Sequence, residues 1–323
     1  MSAEIDEFLK PLGWAEAHRT PLPADASARR YLRLHDRAGD QTAILMIAPP
    51  DEEFDRFQDI AAYLKAHSLS APEILAVRRG AGLMLLEDLG DDLFARCVET
   101  DPQAERPLYT EATDLLSHLA GLPPPAGLPH LAPDRMCDML AVTFEHLSPG
   151  ADAAGLRQEI SDRLLPLFRS HFGGPGVTIL RDYHAENLIW LPGRQGLARV
   201  GLLDFQLAAT GPAGYDLISL LDDARRDVPE PLRADLIARH GAALGLDPAA
   251  FRLHCALLSL QRNLRILGVF ARLASELGKP GYLRHMPRVA GHVRRAAAHA
   301  ELHALRAPVS ALLDNLPVTD PVG

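Results

Sequence analysis

The sequence is poor in several residue types, and their scarcity restricts the kind of protein it can encode. Its three cysteines, Cys97, Cys137 and Cys255, form no Cys-x-x-Cys pair, so the sequence predicts neither a disulfide framework nor a thiolate zinc site. Aromatic residues make up only 6% of the chain. No run of residues approaches the roughly 18 consecutive apolar positions that a membrane span needs. We therefore expect a cytoplasmic protein with no membrane partner.

Lysine is the scarcest charged residue, with only Lys10, Lys65 and Lys279 among 33 cationic residues. Any cationic role in the protein must therefore fall almost entirely to arginine. The net charge is −9, which argues against a general nucleic-acid-binding protein. The charge is also uneven, because residues 251–306 contain ten Lys or Arg against only Glu276 and Glu301.

What the sequence does contain is a composition typical of a globular protein, with 47% hydrophobic and 23% charged residues in 323. Three apolar runs near the N-terminus predict the strands of a small sheet, at residues 31–35, 42–47 and 83–86. Between the last two, the acidic residues that follow Pro50 open a helix with one apolar stripe.

The remainder of the sequence is mainly helical in pattern. Helices are predicted at residues 102–119, 133–147 and 153–171, and again from Gly211 to residue 306. Three short apolar runs, at residues 177–180, 188–191 and 199–203, interrupt them and predict a small β-loop-β unit. We expect only the tail, residues 308–323, to be loosely ordered.

This interruption carries the strongest chemical signal in the chain. Asp182 and Asn187 form an Asp-x-x-x-x-Asn motif between two predicted strands, and Asp204 follows 22 residues after Asp182 at the end of the next strand pair. Phosphoryl transfer requires a carboxylate to orient and deprotonate an acceptor hydroxyl, and further oxygen ligands to hold Mg²⁺ against the phosphates. The three residues match that requirement.

With this motif the sequence resembles the kinase-like phosphotransferases, in particular the aminoglycoside phosphotransferase and choline kinase branch. That branch has His two residues after the catalytic Asp, and here that residue is His184. Within the branch, the chain is most similar to the bacterial anomeric sugar kinases of cell-wall recycling, which act on N-acetylmuramic acid and N-acetylglucosamine. The segments that carry the resemblance are residues 25–31, 85–90, 181–187, 203–206, 211–217 and 222–225.

The resemblance implies an α+β, two-lobed protein-kinase-like fold. Residues 1–90 would form an N-terminal nucleotide-binding lobe, and residues 91–323 a larger helical lobe for catalysis and acceptor binding. Asp182 is the implied catalytic base, and Asn187 and Asp204 the implied Mg²⁺ ligands, with ATP as phosphoryl donor. Asp216 is expected to bind backbone N–H groups of the catalytic loop.

Two departures from the wider kinase pattern concern the nucleotide phosphates. The predicted strand at residues 42–47 has no lysine, and no Gly-x-Gly-x-x-Gly loop is present. Residues 24–30 stand in that place, so Ser27 and its small neighbours could bring backbone N–H groups to a phosphate, and Arg29 or Arg30 could supply the cation. Glu87 and Leu89 lie where the adenine-binding hinge is expected.

The acceptor is predicted less directly. The resemblance makes His184, Glu186 and Arg225 candidate acceptor contacts. An arginine excess in residues 251–306 favours a neutral or anionic sugar over a polycationic aminoglycoside. Two alternatives remain open: a kinase for an antibiotic or other small molecule, and a pseudokinase-like nucleotide-binding module, since the strand lysine is missing. We expect ATP and a small sugar as the only partners, with no nucleic acid, and favour a monomer.

Overall fold

The computed structural model describes residues 2–23, 29–147 and 153–316. Its residues group into two compact units. The first contains residues 1–112 and 185–208, and the second contains residues 113–184 and 209–323. Ser27, one of the predicted nucleotide contacts, lies outside the described residues.

The first unit is built on a five-stranded antiparallel sheet in the order β1-β2-β3-β5-β4. Its strands are β1 (His18–Pro21), β2 (Arg30–His35), β3 (Thr42–Ile47), β4 (Ile74–Arg78) and β5 (Leu83–Glu87). The three predicted strands form its centre. Leu34, Leu45 and Leu85 are buried on one face of this sheet together with Phe8 and Leu9 of helix α1 (Ser2–Leu9).

Helix α2 (Glu52–Ala66) follows β3 as predicted. Asp51 caps its N-terminus, because its carboxylate accepts hydrogen bonds from the N–H groups of Glu53 and Phe54. Phe54, Phe57, Ile60 and Leu64 form its buried stripe. The stripe also fixes the end of a hairpin later in the chain, since the Phe57 ring stacks on Phe205 with 4.8 Å between centroids.

That hairpin consists of β7 (Leu188–Trp190) and β8 (Val200–Leu202), which pair antiparallel within the first unit. The first unit also contains α3 (Phe94–Thr100) and the beginning of α4 (Glu105–Ala120). The helix predicted at residues 102–119 starts three residues later than expected. It is preceded by a 3₁₀ turn whose first residue, Pro102, has no backbone N–H to donate.

The second unit is mainly helical. Its only described strands are β6 (Val177–Ile179) and β9 (Ala209–Gly211), which pair antiparallel with each other. The predicted β-loop-β unit is thus two separate strand pairs, because the first apolar run pairs with residues 209–211, which carry no strand signal of their own. The helices of this unit after α4 are α5 (Pro133–Asp138), α6 (Ala141–Leu147), α7 (Ala153–Phe172), α8 (Tyr215–Leu221), α9 (Glu230–Ala243), α10 (Pro248–Ser275), α11 (Met286–Ala297) and α12 (Arg306–Leu313).

Helix α10, at 28 residues, is the centre of this unit. It packs so closely on α6 that a Cβ at Gly268 would lie 2.4 Å from the Thr143 Cα.

The prediction of a loosely ordered tail is wrong for residues 308–313, because the apolar side chains of α12 are buried. Among the described helices, none is both long and apolar enough to cross a membrane. The small N-terminal sheet and the helical remainder confirm the α+β class.

Candidate active site

The loop that carries Asp182 begins where β6 ends, in the second unit. Asp216, near the start of α8, fixes the backbone of this loop: its Oδ2 accepts from the Leu180 N–H at 2.6 Å and its Oδ1 from the Arg181 N–H at 2.8 Å. The expected contact of Asp216 with the loop backbone is therefore confirmed. Arg181 has a φ of 74°, a conformation that costs free energy in a non-glycine residue and so must be held by its surroundings.

Burial makes the Asp216 carboxylate unusual. Its side chain is buried inside the second unit, and this burial raises its pKa to about 6, although the two N–H groups act in the opposite direction. At neutral pH the carboxylate is ionised and can accept both hydrogen bonds. The loop geometry is therefore tied to the protonation state of a residue outside the motif.

Several charged groups of the second unit lie around Asp182 and His184. Burial lowers the pKa of His184, while Asp223 and Asp182 raise it and Arg225 and Arg262 lower it further. The structure thus brings together two of the predicted acceptor contacts, His184 and Arg225. Glu186, the third, belongs to the first unit and has an exposed side chain.

Arg262 of α10 contacts the loop that carries Asp182 through a second residue. Its Nη2 donates to Ser219 Oγ at 2.7 Å, and Ser219 Oγ donates to the Arg181 carbonyl at 3.2 Å. Arg265, one helical turn further on, is also close enough to Arg181 and Asp182 to interact with their charges. The side chains of Arg262 and Arg265 are therefore turned towards the interior of this unit.

In the first unit, the β7–β8 hairpin brings Asn187 and Asp204 to the same end. Leu188 lies opposite Leu202, and the Leu203 N–H donates to the Asn187 carbonyl at 3.0 Å. Asp204 follows directly, in the left-handed region with a φ of 55°. Gln206 Nε2 donates to Asp204 Oδ1 at 2.9 Å. The two predicted metal ligands are thus positioned by one hairpin.

Arg29 links Asp204 to helix α2. Its Nη1 donates to Asp204 Oδ1 at 2.8 Å and its Nη2 to Glu53 Oε2 at 2.9 Å, and only 11% of its side chain is exposed. Burial lowers the pKa of Arg29, but the neighbouring Tyr31, Asp204 and Glu53 outweigh that effect and raise it. A permanent positive charge therefore lies at Asp204, in a chain whose β3 has no lysine.

Arg30 is placed differently, although it adjoins Arg29. It is the first residue of β2, opposite Ile47, and its side chain is exposed. Arg29 contacts the predicted metal ligand Asp204.

Glu87 and Leu89 lie at the end of the central strand β5, also in the first unit. The Glu87 carboxylate accepts from Arg194 and from the Glu73 N–H. Leu89 packs against Gly201, where a Cβ would lie only 3.2 Å from Leu89 Cδ1. Arg33 holds the intervening turn, since its Nε lies 2.7 Å from Asp88 Oδ2 and its Nη1 lies 2.6 Å from Asp91 Oδ2. The chain segment expected to bind adenine is thus tightly held.

The sequence did not identify three residues as part of the candidate site, although they interact with its predicted residues: Glu53 in the first unit, and Asp223 and Arg262 in the second. Glu53 has the pattern of an ordinary acid in the first turn of a helix. Arg262 is one of many arginines in its segment, and nothing in the spacing marks it as buried. The Asp222-Asp223 pair on the motif-bearing segment was the one available signal, since adjacent acids at the end of an apolar helix require partners.

Comparison with known proteins identifies the family. The chain matches the phosphotransferase enzyme family over residues 18–254. An N-acetylmuramate/N-acetylglucosamine kinase of Caulobacter vibrioides is 38% identical over 324 aligned positions, which cover 87% of this chain and 88% of that protein. A protein of the same name from Neisseria meningitidis serogroup B is 33% identical, with 91% of this chain and 89% of that protein covered.

A solved ternary complex of streptomycin, ATP and APH(2″)-IIa has a similar fold, with a TM-score of 0.61 at 14% identity. The alignment covers 88% of this chain and 96% of that chain. The predicted family resemblance and the predicted fold class are confirmed by these matches. Because the family match extends over most of the sequence and the full-length relatives are named kinases, the chain belongs to the phosphotransferase enzyme family.

Proposed function

We propose that this enzyme transfers the γ-phosphoryl group of ATP to the anomeric hydroxyl of N-acetylmuramate or N-acetylglucosamine. The observation that carries the proposal is the 38% identity, over 87% of the chain, to a kinase named for these two sugars. In the reaction, the bond between the γ-phosphorus and the β,γ-bridging oxygen breaks, and a new bond forms between that phosphorus and the anomeric oxygen. The hydroxyl proton must leave as this bond forms.

Asp182 is the proposed acceptor of that proton and the group that orients the hydroxyl. Its support is the loop backbone, held by the two N–H contacts to Asp216 on one side and by the Arg181 carbonyl contact to Ser219 on the other. A base on a backbone held in this way is kept close to its productive orientation, and such positioning increases the reaction rate.

Asn187 and Asp204 are the proposed ligands of Mg²⁺. Their donor atoms suit this ion, which prefers carboxylate and carbonyl oxygens and keeps sites open for water and phosphate. Among the described residues no group of three or more His, Cys, Asp or Glu could hold a metal by itself. When bound, the ion supplies charge neutralisation of the phosphates.

Arg29 is the proposed cation at the phosphates, in place of the missing strand lysine. Its support is the double contact with Glu53 and Asp204, which holds a part-buried guanidinium beside a proposed metal ligand. Ser27 and Arg30 are proposed to contribute to the same phosphate-binding segment. Glu87 and Leu89 are proposed to bind adenine through the Glu87 carbonyl and the Leu89 N–H.

Nucleotide binding is proposed for residues 1–90, the predicted N-terminal lobe. The catalytic loop and the acceptor contacts are proposed for residues 91–323, the predicted C-terminal lobe. The compact units divide the chain differently, because the hairpin with Asn187 and Asp204 groups with the sheet. His184, Glu186 and Arg225 are proposed acceptor contacts. A cytoplasmic monomer acting in cell-wall sugar recycling is proposed, and the three free cysteines agree with a reducing compartment.

The test is a reaction of the purified enzyme with ATP, Mg²⁺ and each of three acceptors: N-acetylmuramate, N-acetylglucosamine and kanamycin. We expect ADP release with both sugars and not with kanamycin, and ³¹P–¹H NMR should show phosphate coupled to the anomeric proton. Kanamycin turnover without sugar turnover would favour an antibiotic kinase. Nucleotide binding without turnover of any acceptor would favour the pseudokinase alternative.

A further inference from the structure

Asp223 has an incompletely satisfied carboxylate in the interior of the second unit. Only 1% of its side chain is exposed. Its Oδ1 accepts from the Arg225 N–H at 2.9 Å, whereas its Oδ2 has no hydrogen-bond partner among the described residues. A buried carboxylate oxygen without a partner costs free energy, and in native proteins such an atom requires an explanation.

Arg262 has an incompletely satisfied guanidinium, which is a hydrogen-bond donor. It is 8% exposed, and its Nη2 donates to Ser219 Oγ. Its Nη1 is buried and has no hydrogen-bond partner in the part of the chain that the structure describes. Asp223 Oδ2 and Arg262 Nη1 are thus an acceptor and a donor among the buried atoms of this unit that lack a partner, and both residues interact with His184, two positions after Asp182.

The charges in this cluster are not balanced. Arg225, Arg262 and Arg265 lie near the loop that carries Asp182, and the carboxylates that interact with this group are those of Asp182, Asp216 and Asp223. Asp222, the adjacent acid, has other partners, since it contacts Arg233 at 3.2 Å and Arg295 at 2.7 Å. Arg181 also interacts with Arg265, so among the described residues four guanidinium groups of this cluster face three carboxylates. A ligand with a carboxylate would reduce this imbalance, and a polycation would increase it.

We propose that Asp223, Arg225 and Arg262 form the acceptor-recognition site, in which the two guanidinium groups bind the carboxylate of an acidic N-acetylated sugar and Asp223 Oδ2 accepts from its hydroxyl or N–H. This inference rests on the proposed function, and it goes further by assigning the discrimination between acidic and neutral sugars to these residues. Arginine suits that task, because its planar guanidinium matches a carboxylate with two parallel hydrogen bonds.

The experiment measures kcat/KM for N-acetylmuramate and N-acetylglucosamine with the wild-type enzyme, Arg225→Gln, Arg262→Gln and Asp223→Asn. Arg225→Gln and Arg262→Gln should lower kcat/KM for the acidic sugar about tenfold or more relative to the neutral one. Asp223→Asn should raise KM for both sugars, also about tenfold, without changing KM for ATP. Arg225→Lys should recover part of the preference, because it keeps the charge and loses the planar fork.

The matched control is Arg294→Gln, which removes the same charge from an exposed position of α11 in the same arginine-rich segment. It should leave both sugars unaffected. Arg262 also holds the catalytic loop, so a fall in kcat that is equal for the two sugars would assign it to positioning alone. An active enzyme whose ratio of acidic to neutral kcat/KM is unchanged in both arginine variants would overturn this inference and leave the proposed function standing. A wild-type enzyme that phosphorylates neither sugar would overturn both.

Discussion

Arg29 and Asp204 are 175 positions apart in the sequence, yet Arg29 Nη1 donates to Asp204 Oδ1 at 2.8 Å. The same guanidinium donates to Glu53 on α2. The guanidinium of the residue before β2 thus lies beside the proposed metal ligand Asp204. The absence of lysine from β3 therefore does not imply the absence of a cation at the proposed phosphate site.

The first prediction concerns this cation. Arg29→Ala should weaken ATP binding by about 1.5–3 kcal/mol, since a charge-assisted hydrogen bond is lost, and Arg29→Lys should weaken it less. Direct titration of nucleotide with each variant measures the effect. Arg19→Ala provides the control, because Arg19 lies in the same unit and pairs with the exposed carboxylate of Asp6. Unchanged nucleotide affinity in Arg29→Ala would mean that Mg²⁺ and backbone N–H groups bind the phosphates without Arg29.

The second prediction concerns the base. Asp182→Asn keeps the size of the side chain and removes its capacity to take a proton, so kcat should fall by about 10²–10⁴. Nucleotide affinity should stay at the wild-type level. Single-turnover kinetics and nucleotide titration on the same preparation separate the two quantities. A variant that keeps more than about a tenth of wild-type turnover would contradict the assignment of this loop.

The third prediction separates the two proposed metal ligands. Asp204→Ala should abolish activity with little rescue by extra Mg²⁺, because both the charged ligand and the partner of Arg29 are removed. Asn187→Ala should be milder, since a neutral amide is lost. Activity measured against Mg²⁺ concentration tests the order. A normal Mg²⁺ dependence in Asp204→Ala would exclude the role proposed for this residue.

The local parts of this fold could be predicted from the sequence, because they depend on neighbouring residues. The apolar runs of β2, β3 and β5 and the stripe of α2 are visible as patterns, and the motif from Asp182 to Asn187 predicts a catalytic loop. The split between α5 and α6 was not visible, because residues 133–147 keep an apolar pattern across the break.

The long-range contacts of the site could not be predicted in the same way. The pairing of Arg29 with Glu53 depends on how α2 lies against the sheet, and the burial of Arg262 depends on the packing of α10. Neither is encoded in a local spacing. Sequence reasoning therefore reached the residues of the motif, and the partners that hold them required the structure.

The fourth prediction follows from the pKa of Asp216, which is about 6 in the folded protein and ordinarily 3.8. Between these values the folded state binds more protons than the unfolded state, so stability falls as pH rises. The wild type should lose up to about 1.4 kcal/mol per pH unit relative to Asp216→Asn in this window, and the difference should level off above pH 6. Urea denaturation at intervals from pH 4 to 7 measures it. A flat difference across the window would mean that Asp216 is not buried as described.

The fifth prediction concerns Asp222, which is fully buried and joins three helices of the second unit. Ser259 Oγ of α10 donates to its Oδ2, and Arg233 of α9 and Arg295 of α11 donate to its Oδ1. Removing one member of a buried ion pair leaves the other charges without compensation, so Asp222→Asn should lower the free energy of unfolding by about 3 kcal/mol. Asp227→Asn is the matched control, since its carboxylate is 75% exposed and pairs with Arg288, and exposed pairs contribute about 1 kcal/mol or less.

The pH dependence of this network has the opposite sign to that of Asp216. Burial raises the pKa of Asp222, but Arg233, His292 and Arg295 outweigh it, so the folded-state pKa lies below the ordinary 3.8. The network therefore contributes its full stability above pH 3.8 and loses it as the pH falls through the folded-state pKa. Acid unfolding of the wild type should accordingly be steeper below pH 4 than that of Asp222→Asn, whereas Asp227→Asn should follow the wild type more closely. Parallel acid-unfolding curves for the wild type and Asp222→Asn would show that the charge of Asp222 does not hold the three helices together.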